Sequence, residues 1–404
     1  MDLKLAQESL NFLKNNVAGI LPDYELRNPQ LDMMGACSKA IEDGGTLIAE
    51  AGTGTGKTFA YLIPLILSGK KSIVSTRTIN LQEQLFSKDL RFLSTLKEFD
   101  YAIAKGRGNY LCLRRLNTYR ISNKEESGEY TKLVGWASKT ETGDIEDYPG
   151  RSSLWDRVLS DADACRGQNC TFYNQCFYFR ARKRWGRAQI VVANHAITSI
   201  NAMLSGDSKI LPKADVLIID EGHALDNALS EQIGINISKR GFENILNKLL
   251  KPDERGNYKG LLSKSHYLFQ IVESLRMEME LFWDSVKKKL EHRKTIKGAF
   301  ALTNFSVGLS SSIRSLIENI RTSTTGLFKE DEELELKASI IKLKAYAEGL
   351  ETFSEGVDGF VRWPEIEEKR TALRMSPIYP REFIRDNIVP EYNSIIVTSA
   401  TLSV

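Results

Sequence analysis

The chain has 404 residues, 42% hydrophobic and 26% charged, with 55 Lys and Arg against 52 Asp and Glu. That length holds two to three domains of roughly 100–200 residues, and the balance is that of a globular protein, which excludes composition-driven disorder. No uncharged apolar run approaches the roughly 18 residues of a membrane span, Met1-Asp2-Leu3-Lys4-Leu5 opens no signal peptide, and five cysteines are too few for a disulfide scaffold. A cytoplasmic protein without a membrane partner is expected.

The first informative stretch is Arg27-Asn28-Pro29-Gln30. A Gln amide offers donors and an acceptor, which suits an adenine edge. The run Thr46–Ala49 then reads as a strand buried on both faces, and Ala51-Gly52-Thr53-Gly54-Thr55-Gly56-Lys57-Thr58 follows it at the start of a helical pattern. Glycines there let backbone amides converge on a β-phosphate, Lys57 reaches the β- and γ-phosphates, and the Thr58 hydroxyl can ligate Mg²⁺. Ala51 stands where the strict pattern has Gly. Further buried-strand runs are Ser72–Val74 and Tyr101–Ala104.

About 85 residues separate that third run from the fourth, Gln189–Ala193, too many for a loop in a compact domain. This insertion, 105–188, holds Cys112, Cys165, Cys170 and Cys176. Four thiolates can hold Zn²⁺ or an iron–sulfur cluster, or the four can be unrelated buried thiols. Gaps of 52, 4 and 5 intervening residues lack the tight pairs of zinc sites. Between Lys105 and Arg187 sixteen Lys and Arg face ten Asp and Glu. Arg180, Arg182, Lys183, Arg184 and Arg187 interleave with Phe177, Tyr178, Phe179 and Trp185. That composition suits either a single-strand nucleic-acid surface or a basic helix with its aromatics turned inward.

The fifth run, Val216–Ile219, delivers Asp220-Glu221-Gly222-His223. Paired carboxylates at a strand end beside a phosphate loop suit metal binding, by Asp220, and activation of the attacking water, by Glu221. About 175 residues then precede the sixth run, Ser394–Val397. In this second insertion apolar residues recur at helical spacing in three stripes, from Leu268 to Leu290, Leu309 to Ile320 and Leu336 to Leu350. Lys287–Lys289 and Glu330–Glu333 read as solvated faces or helix ends.

Together these residues resemble the XPD/DinG family of superfamily-two helicases, in its bacterial DinG/YoaA-like branch. Asp220–His223 resembles that family's motif II, Ser75-Thr76-Arg77-Thr78 its motif Ia, Ala193-Asn194-His195-Ala196 its re-entry to the core, Phe360–Trp363 with Ser376-Pro377 the exit from its helical Arch domain, and Val397–Leu402 its motif III. The resemblance implies a RecA-like parallel sheet over 1–104, 189–230 and 376–404. It implies an iron–sulfur domain over 105–188 and an Arch domain over 231–375. It further implies a 4Fe–4S cluster on Cys112, Cys165, Cys170 and Cys176, with ATP and Mg²⁺ held by Arg27, Gln30 and 51–58. Lys57, Asp220 and Glu221 would be catalytic, with His223 coupling nucleotide state to DNA grip. The implied activity is ATP-driven 5′-to-3′ translocation on single-stranded DNA by a monomer in repair or replication, with a single-strand-binding protein as a partner. The chain ends just after motif III, so the second motor domain is expected to be absent and this part inactive in unwinding. The rival readings are a P-loop kinase or transferase with a structural zinc site, and a non-enzymatic single-strand-binding module.

Overall fold

The structure is a computed structural model that describes residues 4–21, 24–52, 54–121, 124–253, 256–291, 305–324, 326–367 and 370–401. Thr53 of the phosphate loop and Leu402 of the motif III stretch lie outside the described residues. The chain divides into two compact units. One comprises 1–159, 171–232 and 380–404, and the other comprises 160–170 and 233–379.

The first unit is built on six parallel strands: β1 (Gly45–Glu50), β2 (Ser72–Thr76), β3 (Tyr101–Ile103), β4 (Ile190–Asn194), β5 (Val216–Asp220) and β11 (Ser394–Ser399), in spatial order β1-β11-β5-β2-β4-β3. All six apolar runs form these strands. Side chains alternate between the two faces, as the two-residue period of a strand requires. Ile73, Val191, Leu217, Ile219 and Ile395 enter a core with Tyr178, Trp185 and Ile197. Val74, Ile190, Val192, Val216, Ile218 and Ile396 enter the opposite core with Met34, Ile41, Ile63 and Leu65. Burial on both faces is why these strands read as continuous apolar runs. β1 departs from that expectation. It is an edge strand paired only with β11, and Ile48 is 68% exposed.

The second unit has a three-stranded antiparallel sheet, β6 (Ile235–Ser238), β10 (Arg370–Pro377) and β9 (Phe360–Glu367), with β10 in the middle. A small ladder pairs β7 (Lys251–Pro252) with β8 (Tyr258–Lys259). The three helical stripes form the helices Tyr267–Glu291, Phe305–Ser323 and Glu330–Glu355. Their apolar faces share one core, including Leu268, Val272, Met279, Ile313, Leu343 and Leu350. The Leu290 side chain lies outside what is described. Glu330–Glu333 do form a helix end, where acidic side chains complement the N-terminal dipole. They are also partnered. Arg166 reaches Glu330 at 2.8 Å and Asp331 at 3.0 Å, Lys342 reaches Asp161 at 2.5 Å, and Lys264 reaches Glu332 at 3.0 Å. Those first pairs tie 160–170 to the helix Glu330–Glu355.

Candidate nucleotide and nucleic-acid site

Because the six strands are parallel, their carboxyl ends share one edge, where ligands of open α/β sheets bind. The phosphate loop leaves β1 there and runs into the helix Lys57–Ser68. Gly54 and Gly56 hold φ of 78° and 83°, conformations open to glycine and strained for other residues. The Arg27 guanidinium donates to the Gly54 carbonyl, and Gln30 Nε2 donates to the Gly56 carbonyl at 3.1 Å. Tyr24 in turn donates to Gln30 Oε1 at 2.8 Å. Gln30, only 2% exposed, therefore braces the loop, and a Cβ at Gly56 would come within 2.2 Å of its amide nitrogen.

Opposite the loop, β5 ends in Asp220 and Glu221. The Tyr61 hydroxyl donates to Asp220 Oδ2 at 3.2 Å. Burial raises the Asp220 carboxyl above its ordinary value; the Glu221 charge adds to this and Lys57 opposes it. Lys57 Nζ lies 3.2 Å from Glu221 Oε1. On the other side of Glu221, His223 Nδ1 sits 2.8 Å from Ser399 Oγ, whose hydroxyl is 3.5 Å from Glu221 Oε2. One carboxylate thus faces the phosphate-loop lysine and the Ser–His pair across β5 and β11. Glu221 is the one non-glycine residue at positive φ (56°) among the described residues. Such strain persists only where the surroundings hold it. Gly222 follows because a Cβ there would come within 2.4 Å of Val397 Cγ1.

His195 lies behind this arrangement with no exposure to solvent. Its Nδ1 is 2.8 Å from Ser75 Oγ, its Nε2 is 3.4 Å from the Glu221 carbonyl, and Thr198 donates to Ser75 Oγ at 2.9 Å. Burial pulls the imidazole down to about 4, so it is neutral near pH 7.

Of the four cysteines, Cys112 and Cys176 belong to the first unit and Cys165 and Cys170 to the second. All four are half-buried and none is in a disulfide. Cys112 and Cys176 occupy the N-caps of the helices Leu113–Thr118 and Phe177–Arg187. Burial raises the Cys112 thiol, the Arg115 amide and the Arg114 and Arg115 charges pull it back, and Cys176 adds to the rise. The Gly167 N–H donates to Cys165 Sγ at 3.4 Å. No group of three or more His, Cys, Asp or Glu placed to hold a metal forms among the described residues. Cys37 is a fully buried core thiol.

The helix Phe177–Arg187 resolves its two readings by face. Phe177, Tyr178 and Trp185 are buried, while Arg180, Lys183, Arg184 and Arg187 are exposed and Arg182 donates to the Lys209 carbonyl. Its aromatics are core, and its outer face is a row of cations.

Residues 34–121 match the family model for DEAD/DEAH box helicases, and 151–242 match that for DEAD_2. The chain is 30% identical over 411 residues to the ATP-dependent DNA helicase YoaA of Haemophilus influenzae, covering 97% of this chain and 61% of that protein. It is 30% identical over 403 residues to YoaA of Escherichia coli, covering 96% and 62%. It is 28% identical over 445 residues to the 3'-5' exonuclease DinG of Bacillus subtilis, covering 95% and 47%. Over nearly all of its length the chain is similar to these helicases. It spans about three fifths of the length of the two YoaA proteins.

In this helicase-like chain, the motif residues of the phosphate loop, β5 and β11 come together. Sequence reasoning missed the contacts of three residues: Tyr61 belongs to none of the motifs, and Ser75 and His195 fall in separate segments. Only the order β5-β2-β4 makes them neighbours. A Ser next to the carboxyl end of β2, and a His at a strand-to-helix junction, were the available signals.

Proposed function

We propose that this chain is the ATP-hydrolysing, DNA-gripping part of an ATP-dependent DNA helicase acting in DNA repair. The observation that carries the reading is Glu221, held between Lys57 on one side and Ser399 and His223 on the other, at the carboxyl edge of the sheet. In this reading the amides of 51–58 and the Lys57 ammonium hold the triphosphate, with Arg27 and Gln30 bracing the loop beside the base. Thr58 and Asp220 would hold Mg²⁺, which supplies charge neutralisation at the phosphates. Lys57 turns from Glu221 to the γ-phosphate when nucleotide arrives, and Glu221 is then free to orient water and take its proton. His223 and Ser399 fix the second carboxylate oxygen and sense its departure.

The DNA partner is single-stranded, gripped at Ser75–Thr78 and along the cationic face of Phe177–Arg187, with movement 5′ to 3′. A 4Fe–4S cluster on Cys112, Cys165, Cys170 and Cys176 is part of the same proposal. It is supported by four half-buried cysteines in one insertion, none of them in a disulfide, and the cluster would cross-link the 105–188 insertion. The segments 1–104, 189–230 and 376–404 act as the motor domain, and 231–375 as the Arch. The protein works as a cytoplasmic monomer alongside a single-strand-binding protein.

Phosphate release by the whole protein, with and without single-stranded DNA, tests the reading. Stimulation by single strands, abolished in Glu221→Gln with Mg·ATP binding retained, is expected. Turnover that ignores DNA would overturn the proposal.

A further inference from the structure

The carboxyl ends of β4, β2 and β5 lie side by side, with Ser75 in register with Ala193 on one flank and Ile219 on the other. A hydrogen-bond chain crosses them. Its direction is fixed at one end, because the Glu221 carbonyl can only accept. His195 Nε2 must therefore carry the proton and donate to it. In a neutral imidazole Nδ1 is then an acceptor, so the Ser75 hydroxyl donates to Nδ1 and accepts from Thr198. The ring is fully enclosed, with no exposure to solvent, which favours the neutral form. Thr198 Oγ1 also lies 3.1 Å from the Asn194 carbonyl, so its one hydrogen is shared between that carbonyl and Ser75 Oγ.

The two ends of this chain are not ordinary positions. Glu221 holds the left-handed backbone, and its carbonyl is the acceptor. Ser75 and Thr76 end β2 and lead into the turn at Arg77-Thr78, where Thr76 Oγ1 donates to the Thr78 carbonyl at 3.3 Å and Thr78 caps the next helix through the Leu81 amide at 3.2 Å. Arg77 in that turn is exposed. A shift of the turn moves Ser75, and through the buried imidazole it pulls on the backbone that aims the Glu221 carboxylate. We propose that His195 is a positioning residue that locks the strained Glu221 backbone and relays the state of the 75–78 turn to it. The relay rests on the helicase reading insofar as the turn is where single-stranded DNA is gripped.

Three substitutions separate the halves of the relay. His195→Gln keeps a donor near the Nε2 position, His195→Asn keeps a polar group near Nδ1, and His195→Phe fills the space with neither. Nitrogen-15 spectra of the labelled imidazole should show the Nε2-protonated tautomer, with a shift on adding an oligothymidine. In phosphate-release assays on the whole protein, His195→Phe should lose at least tenfold of the DNA-stimulated rate with Mg·ATP affinity within twofold of wild type. His195→Gln should stay within about threefold. In thermal unfolding, the drop in Tm caused by His195→Phe should shrink when Glu221→Gly is also present, since glycine needs no help to hold that φ.

An Nδ1-protonated tautomer, unchanged DNA stimulation in His195→Phe, or equal behaviour of the Phe and Gln variants would overturn the relay. If wild-type protein binds Mg·ATP but ignores DNA, the helicase reading fails. The tautomer and the Phe/Gly cycle then still decide whether His195 locks Glu221.

Discussion

Acidification should expose the cost of sealing His195 inside the first unit. Its imidazole titrates at about 4 in the folded chain because burial disfavours the cation, against about 6.5 when unfolded. The folded value is the lower one. As pH falls below about 6.5 the unfolded chain takes up a proton that the native chain refuses, so stability declines until the folded value is passed. At about 1.4 kcal/mol per unit, the full difference is about 3 kcal/mol. Roughly 2 kcal/mol of it should be lost between pH 7 and pH 5, and the remainder by about pH 4. Other groups titrate over the same range, so the informative quantity is the difference between wild type and His195→Gln, which shares every other ionisable group. Urea unfolding of both proteins at pH 7, 6, 5 and 4.5 gives that difference. The variant should be the less stable at pH 7 and gain on wild type with each step down. Parallel curves for the two proteins would refute the argument, because they would mean that the ring charges inside the fold as freely as outside it.

Gly56→Ala should cost about 1–2 kcal/mol from the left-handed backbone. It should also weaken nucleotide binding, since its Cβ displaces the Gln30 amide; unchanged Tm and affinity would dismiss the bracing role. Lys105 is 2% exposed and pairs with Asp144 at 2.6 Å, Glu146 at 3.0 Å and Glu83. Lys105→Met strands the buried Asp144 and should destabilise by about 3–5 kcal/mol in chemical denaturation, with a loss below about 1 kcal/mol counting against it. Cys165→Ser should lower bound iron and acid-labile sulfide in anaerobically purified protein while Cys37→Ser does not, and stoichiometric zinc without sulfide would contradict the cluster.

The parallel sheet was legible because strands covered on both faces carry unbroken apolar runs, as Val216–Ile219 does. The same logic misled at β1, where Ile48 belongs to an exposed edge. Motif spacing gave the loop at 51–58 and the carboxylate pair, since both are contiguous in sequence. It could not give the strained backbone of Glu221, which depends on Val397 packing over Gly222 and on groups delivered by other strands. Nor could it give the attachment of 160–170 to the second unit. That depends on Arg166 and Asp161 meeting Asp331 and Lys342, about 170–180 residues away in sequence.

The position of β11 has a consequence for synthesis. The strand that launches the phosphate loop pairs with nothing but Ser394–Ser399, so residues 45–50 wait for the ribosome to add roughly 340 more before they gain a partner. Closing so long an interval is slow and leaves a bare strand edge in the meantime. Nascent chains halted before residue 394 should therefore lack any nucleotide pocket even though every phosphate-loop residue has already been made. The strand that switches the first motif on emerges long after the motif itself.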